Sequence, residues 1–159
     1  MHLFRTRIIV ATFGILALLP APRSLAADTP KEVVARFCQL DFEGHRLSSD
    51  TYSPIEPLIM YPAEPGWDTM LGVQSFKISG EKIEGNTAKV IVSYEIDRSW
   101  PEDVGDTSEY KSETFNLNRV NSTWRISEYV VYPRVSTDLL CSKYKFCTAT
   151  ANNSQERTE

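Results

Sequence analysis

The sequence predicts an α+β domain, in which a long N-terminal helix and a short second helix pack on a strongly curved, mainly antiparallel four-stranded sheet. Three features indicate this class. Apolar residues recur with a helical period over residues 28–47, they alternate with a period of two after residue 71, and two tight turns divide the alternating region. Helices followed by an antiparallel meander are typical of a fold whose helices cover one sheet face. Such a sheet, curved around the first helix, forms a cone with an interior pocket.

The first helix is predicted over Asp28–Leu47. Thr29 provides the N-cap, Pro30 occupies the first helical position, and Glu32 completes a capping box. One side of the helix carries apolar residues, namely Val33, Val34, Phe37, Cys38, Leu40 and Phe42. The other side carries Glu32, Arg36, Gln39, Glu43 and Arg46. Gly44 is expected to end this helix or to begin its unwinding.

A second, short helix is predicted from Ser53 to about Met60. The segment Ser53-Pro54-Ile55-Glu56 repeats the start signal of the first helix, and Pro57 falls in the first turns, where its missing N–H is tolerated. Residues 61–68 contain two prolines and a glycine, which predicts an ordered loop.

The alternating region predicts two hairpins. The strands are expected over residues 73–82, 87–97, 109–118 and 123–132. The first hairpin turns at Glu84-Gly85-Asn86 and the second at Val120-Asn121-Ser122. A polar, acidic loop over residues 99–108 connects them.

The two ends of the chain predict export and a tail. Residues 1–26 combine Arg5 and Arg7, an apolar stretch from Ile8 to Leu19, and small residues before position 27, as in a signal peptide. The alternative, an uncleaved anchor, is disfavoured because a spanning helix needs roughly 20 apolar residues. We therefore expect a periplasmic or secreted domain over 27–147, without a stable membrane anchor, and a disordered polar tail over 148–159.

The charge balance excludes one class of partner. Removal of the signal peptide takes away three arginines and no acidic residue, so the formal net charge changes from −4 to −7. Nucleic acid is a poor partner for a negative domain without a basic cluster.

All three cysteines follow the signal peptide. In an oxidising compartment we expect a small disulfide loop between Cys141 and Cys147, although sequence alone permits three pairings. Cys38 lies on the apolar side of the first helix and is expected to be a buried, unreactive thiol.

Three stretches carry a resemblance to a known superfamily. They are Val33-Val34-Ala35-Arg36-Phe37 with Gly44-His45, Ala88-Lys89-Val90-Ile91-Val92-Ser93-Tyr94, and Phe115-Asn116-Leu117-Asn118-Arg119 with Trp124-Arg125-Ile126. They resemble the opening helix, central strand and last hairpin of the nuclear transport factor two-like superfamily, a cystatin-like α+β cone also used by ketosteroid isomerase and polyketide cyclases.

The resemblance implies a cone-shaped domain but no particular activity, since the superfamily contains enzymes, binding modules and many secreted domains. The chain departs from the family pattern at His45, where Asp is common, and at Asn121-Ser122, where Asn-Gly is commoner. No catalytic set of the isomerase is matched, so none is transferred to this chain.

Asp41 and His45 are the best candidates for acid–base chemistry. Lying four residues apart, they would both point into the pocket if the helix continued past Gly44, with Asp41 as base, His45 orienting it and Tyr94 donating to a developing oxyanion. In the alternative, Gly44 ends the helix and His45 turns toward solvent.

Two further groups are candidates for binding. Phe37, Tyr52, Tyr61 and Trp67 would line a ligand-binding mouth, or would simply pack in the core and at its rim. Glu102, Asp103 and Asp106 would form an acidic surface for a protein partner. Their spacing fits no EF-hand, and no metal or cofactor is expected.

We therefore expect an exported, non-catalytic binding domain for a small apolar ligand or an envelope or extracellular protein, present as a monomer or weak homodimer. One alternative is an isomerase, dehydratase or cyclase that uses Asp41 and His45. Another is an inhibitor or immunity-type protein that acts through the acidic loop 99–108.

Overall fold

The computed structural model describes residues 28–62, 67–100 and 111–144 of the chain. The described part contains two α-helices and one five-stranded sheet. Their bounds are α1 Pro30–Phe42, β1 Met70–Glu84, β2 Thr87–Trp100, β3 Ser112–Val120, β4 Thr123–Ile126, β5 Arg134–Ser136 and α2 Thr137–Tyr144. The predicted signal peptide and polar tail lie outside the described residues.

The sheet is strongly curled into a half-barrel, which confirms the α+β class but corrects the predicted four-stranded sheet. The strand order is β4-β3-β2-β1-β5, and β5 runs parallel to β1, so the sheet is mixed. Leu71–Val73 of β1 pair with Arg134–Ser136. A strand of three residues carries too short an alternation to be recognised in sequence.

Helix α1 is shorter than predicted, ending at Phe42 rather than Leu47. Its start is as expected, because Thr29 and Glu32 form both hydrogen bonds of a capping box. Gly44 then adopts φ 78, a left-handed conformation that glycine accepts without a Cβ clash, and its N–H donates to the Asp41 carbonyl at 2.9 Å. The chain therefore turns at Gly44 and continues as the short 3-10 segment His45–Leu47.

The predicted second helix is also replaced by shorter structure. Only Glu56–Leu58 forms a 3-10 turn, because Ile59 is already extended, with φ −121 and ψ 161. Ile59 forms a parallel bridge with Ile126, and the Met60 N–H donates to the Ile126 carbonyl at 2.9 Å. Pairing with the end of β4 thus takes the backbone groups that a longer helix would have used.

Both predicted hairpins form. Gly85 has φ 60 in the first turn, while Asn121 and Ser122 have φ 49 and 67 in the second. Two positive φ values in a two-residue turn match the right-handed twist of the flanking strands. The second hairpin extends less far than predicted, since β4 ends at Ile126 instead of Tyr132.

The core lies between α1 and the inner face of the sheet. Val34 and Phe37 of α1 are fully buried, as are Val90 and Val92 of β2. The Phe37 ring meets Phe115 of β3 edge to face, with the ring centroids 5.7 Å apart. None of the helices that the structure describes is long and apolar enough to cross a membrane.

We expect Gly44→Ala to destabilise the fold more than Gly85→Ala. Both residues have positive φ, which costs an alanine about 1–2 kcal/mol. A Cβ at Gly44 would in addition lie 3.0 Å from Leu139 Cδ2, whereas a Cβ at Gly85 meets nothing within 4 Å. Urea unfolding of both variants checks this difference, and equal losses would contradict the close packing of α2 on Gly44.

Candidate functional site

Charged side chains occupy the interior where the sequence predicted a pocket. Asp41, Arg46 and Arg134 are 2%, 1% and 2% exposed. Arg46 Nη1 and the Arg134 backbone N–H both donate to Asp41 Oδ2, at 3.1 and 3.0 Å. The Arg134 guanidinium also forms an ion pair with Glu113. We call Asp41, Arg46, Glu113 and Arg134 the buried ion network.

Local structure explains how Arg46 becomes buried. Asp41 lies in the last turn of α1, and the turn at Gly44 returns the chain so that Arg46 reaches back to it. Arg46 Nη2 donates to the Val130 carbonyl at 2.5 Å, and Nη1 to the Tyr132 carbonyl at 3.4 Å. Arg46 thus binds the end of the helix to the segment that leads into β5.

The backbone at Tyr132 is shaped by the same network. Tyr132 has φ 50, which is unfavourable for a residue with a large side chain. Its carbonyl accepts hydrogen bonds from both Arg46 Nη1 and Arg134 Nη1, the latter at 3.2 Å. These charge-assisted bonds offset the backbone strain, so the conformation of the loop depends on the two arginines.

Aromatic rings cover both guanidinium groups. Arg46 Cζ lies 5.4 Å from the centroid of the Phe37 ring and 4.9 Å from that of Trp67. Arg134 Cζ lies 4.8 Å from the centroid of the Tyr94 ring. Burial acts to lower the pKa of Arg46, but the Asp41 carboxylate acts to raise it, and the net direction is upward. Arg46 is therefore a permanent buried cation, stabilised by ring faces and by Asp41.

Tyr94, the predicted oxyanion donor, contacts a thiol instead. Its hydroxyl lies 3.2 Å from Cys38 Sγ, and both residues are buried. Desolvation by burial raises the pKa of Tyr94 and raises that of Cys38 to about 12. Cys38 is free, as expected for an unreactive buried thiol, and its protonated form is a poor nucleophile.

The structure does not bring Asp41 and His45 together. His45 Nδ1 lies 2.8 Å from the Thr51 carbonyl, and Nε2 lies 3.7 Å from Glu43 Oε2, at a side-chain exposure of 29%. Because Gly44 ends the helical path, Arg46 takes the inward position and His45 turns toward the surface. The arrangement in which Asp41 and His45 both point inward therefore does not form, and the chain follows the alternative in which Gly44 ends the helix and His45 turns outward.

The four predicted ligand-binding aromatics separate into two groups. Phe37 and Tyr52 are 0% and 4% exposed and belong to the core. Tyr61 and Trp67 both pack on Tyr129, with ring centroids 5.2 and 5.7 Å from it. Sequence reasoning paired Tyr61 with Trp67 but missed Tyr129, which lay in a segment predicted to be strand.

Residues of two predicted sites lie outside the part of the chain that the structure describes. Glu102, Asp103 and Asp106 lie outside the described residues, as does Cys147. The acidic partner surface and the Cys141–Cys147 bond thus stay predictions. Because Cys38 is free, Cys147 is the one intrachain partner left for Cys141. The described ranges contain no group of three His, Cys, Asp or Glu side chains that could hold a metal ion.

Two shallow grooves lie on the outer face of the sheet. One of about 390 Å³ is lined by Gly80, Glu81, Lys82, Lys89, Ile91 and Thr114. The other, of about 360 Å³, is lined by Lys82, Glu84, Thr87, Ala88, Lys89, Asn116, Leu117, Asn118, Ser127 and Glu128. Lys82 and Lys89 line both grooves.

The structure reveals functional candidates that sequence reasoning missed. Arg46 was placed on the polar side of the first helix, although Gly44 two residues earlier was a signal that the helix would end. Arg134 lies just after the last predicted strand, and the residues around it show no helical or strand periodicity that would have indicated its burial. The opposition of Lys82 and Lys89 was implicit in the hairpin turn at Gly85-Asn86, which fixes the register.

Comparison with known proteins yields no match to a family model, to a curated protein or to a solved structure.

We expect Arg46→Met to lower the free energy of unfolding by about 3–5 kcal/mol, because it leaves Asp41 buried without its ion partner. The matched control is Lys82→Met, which removes the exposed pair with Glu84 and should cost less than about 1 kcal/mol. Urea unfolding measures both. A loss from Arg46→Met no larger than that of the control would contradict a structural role for the network.

Stability should fall as the pH rises above 9, partly through Cys38. Burial raises the pKa of this thiol from its ordinary value of 9.0 to about 12, so the unfolded chain releases the proton first. The contribution is complete below pH 9 and declines by about 1.4 kcal/mol per pH unit between 9 and 12. Urea unfolding at pH 8, 9 and 10 should give a shallower decline for Cys38→Ala. Parallel declines would contradict the raised pKa.

Proposed function

We propose that this protein is an exported, non-catalytic binding domain that docks a protein partner through aromatic residues near the end of β4. The observation that carries the proposal is that described side chains occupy the space beside Asp41. In a catalytic cone, the space beside Asp41 would have to admit a substrate. Here Arg46, Arg134 and the rings that cover them occupy it.

The chemistry of the interior groups supports the same conclusion. Asp41 Oδ2 already accepts hydrogen bonds from Arg46 and from the Arg134 backbone, and the residue is 2% exposed. A general base must reach the proton that it removes, directly or through one water molecule. Cys38 and Tyr94 are buried, and burial raises the pKa of both, which favours their protonated forms at neutral pH. This arrangement suits a structural role for these groups.

The docking surface that we propose consists of Met60, Tyr61, Trp67, Tyr129 and Val131, and we call it the aromatic surface. Met60, Tyr129 and Val131 are 46%, 41% and 43% exposed. Protein interfaces are enriched in Tyr, Trp and Met, and their energetic centres are often aromatic. An exposed apolar cluster of this composition therefore favours a protein partner over free solvent.

The aromatic surface is also rigidly supported. Tyr61 and Trp67 pack on Tyr129, and the guanidinium of Arg46 lies against the inner side of Trp67. Met60 is held by the hydrogen bond from its N–H to the Ile126 carbonyl. Aromatic side chains that pack on each other in this way lose little conformational entropy when a partner binds, so they suit an interface.

Export and the family resemblance belong to the proposal as well. Export is supported by the arginines and the apolar stretch of residues 1–26. The nuclear transport factor two-like resemblance is supported by the positions of the three stretches that carry it. They fall on α1 and the turn after it, on β2, and on the β3–β4 hairpin.

Site-specific photo-crosslinking in the source organism tests the aromatic surface. A benzophenone amino acid at Tyr129 or Val131 should give a discrete crosslinked product with a partner protein. The matched controls are Ile83 and Val120, which are 51% and 40% exposed but lie at the two hairpin turns. A product at the control positions of equal yield, or none at Tyr129 and Val131, would refute the aromatic surface as the docking site.

A further inference from the structure

One guanidinium group holds the backbone beneath the aromatic surface. Arg46 Nη2 donates to the Val130 carbonyl at 2.5 Å, and Nη1 donates to the Tyr132 carbonyl at 3.4 Å. These two carbonyls flank Val131, which is 43% exposed and belongs to the aromatic surface, whereas Val130 is 3% exposed. A buried cation therefore fixes the chain on both sides of an exposed docking residue.

The same guanidinium supports the rings of the aromatic surface. Its Cζ lies 4.9 Å from the centroid of the Trp67 ring, and Trp67 packs on Tyr129. Burial raises the pKa of Tyr61 and the charge of Arg46 opposes that rise, so Tyr61 lies within electrostatic reach of the guanidinium. Directly or through one neighbour, Arg46 thus acts on every residue of the aromatic surface except Met60.

The segment that carries Tyr129 and Val131 lies outside the strand ladder. β4 ends at Ile126 and β5 begins at Arg134, and the residues between them belong to neither strand. Within this segment Tyr132 has φ 50, which is unfavourable for a bulky residue. A strained segment without a ladder is among the first parts of a fold to open, so its conformation depends on the contacts that hold it.

Two arginines donate to the carbonyls of this segment, and they differ in what they connect. Arg134 Nη1 donates to Val131 and Tyr132 at 3.0 and 3.2 Å, but these residues lie three and two positions before it in the chain. Arg46 lies 84 residues from Val130 and 86 from Tyr132, in the turn that follows α1. Through these carbonyls Arg134 shapes the segment locally, whereas Arg46 attaches it to the end of the helix.

We propose that Arg46 is a positioning residue for the docking of the partner, an inference that rests on the proposed function. The aromatic surface takes its binding conformation while the guanidinium holds residues 130–132 and Trp67. Without that group the surface is assembled in only a fraction of the folded molecules, and the apparent affinity for the partner falls by that fraction. Linkage is reciprocal, so a bound partner in turn stabilises the contacts of Arg46.

Two measurements on the full chain test this role. The first is photo-crosslinking in the source organism with a benzophenone amino acid at Val131, where Arg46→Met should lower the yield per folded molecule at least about fivefold. The second needs no partner and uses a fluorotyrosine in place of Tyr129. Its fluorine resonance should move in Arg46→Met toward the position that it has in the urea-unfolded protein.

Two further variants separate positioning from stability. Arg46→Lys keeps the charge but lacks the planar fork that reaches two carbonyls, so it should give a smaller change in the same direction in both measurements. It decides the test if Arg46→Met does not fold. The matched control is Val90→Ala, which creates a cavity in the core at a fully buried position of β2. It should change the crosslink yield per folded molecule by less than about twofold and leave the resonance in place.

The proposed function and this inference fail in different experiments. If the wild-type protein gives no crosslink at Val131, the aromatic surface is refuted as the docking site, and the fluorine resonance still decides whether Arg46 positions its rings. The inference is overturned if Arg46→Met, or Arg46→Lys in its place, keeps the wild-type yield or the wild-type resonance. Equal changes in Val90→Ala would overturn it as well, because Arg46 would then act only through the stability of the whole domain.

Discussion

The described fold depends on one buried carboxylate. Asp41 accepts from the Arg46 guanidinium and from the backbone N–H of Arg134, and so joins the end of α1, the turn that follows it and the start of β5. The helix end and its turn lie far from β5 in the chain, since Asp41 and Arg134 are 93 residues apart. A buried ion pair contributes little net stability compared with apolar packing, but removing one partner is costly. We therefore interpret the network as a device that specifies one arrangement of the helix end and β5.

The sequence allowed the regular elements to be predicted, but not their ends. The capping box at Thr29 and the hairpin turns at Gly85 and Asn121 depend on local chemistry, and all three are correct. Apolar periodicity does not predict where α1 ends, because two conformations are possible after Phe42. The helix could continue, or the chain could turn at Gly44 in the left-handed conformation. The turn forms, and it brings Arg46 to its buried partner Asp41. Strand β5 forms by pairing with β1, which is distant in the chain, and no local sequence pattern predicts this pairing.

The same competition explains why the candidate site was only partly predictable. Helical spacing placed Asp41 inward correctly, since it is 2% exposed. A helix that continued beyond Gly44 would have placed His45 inward and Arg46 outward, whereas a helix that ended there would turn His45 toward solvent. The actual arrangement exchanges a titratable histidine for a permanent guanidinium beside the carboxylate. This exchange changes the chemistry available to Asp41. A carboxylate with a histidine can move protons near neutral pH, whereas one held by an arginine is a fixed ion pair.

Because Arg46 and Arg134 occupy the space beside Asp41, we propose recognition at the outer surface of the protein, away from the edge of the sheet. Beyond Val73, β1 has no second partner strand among the described residues, so its edge could in principle accept another strand. Register shifts on both sides of Val73 and before Gly80 interrupt that edge, and Lys77 and Lys82 add charge to it. Natural sheets use bulges and lysines in this way to prevent edge-to-edge pairing. The shift at Gly80 also uncovers Ile91 on the face, so one irregularity both blocks the edge and forms the groove.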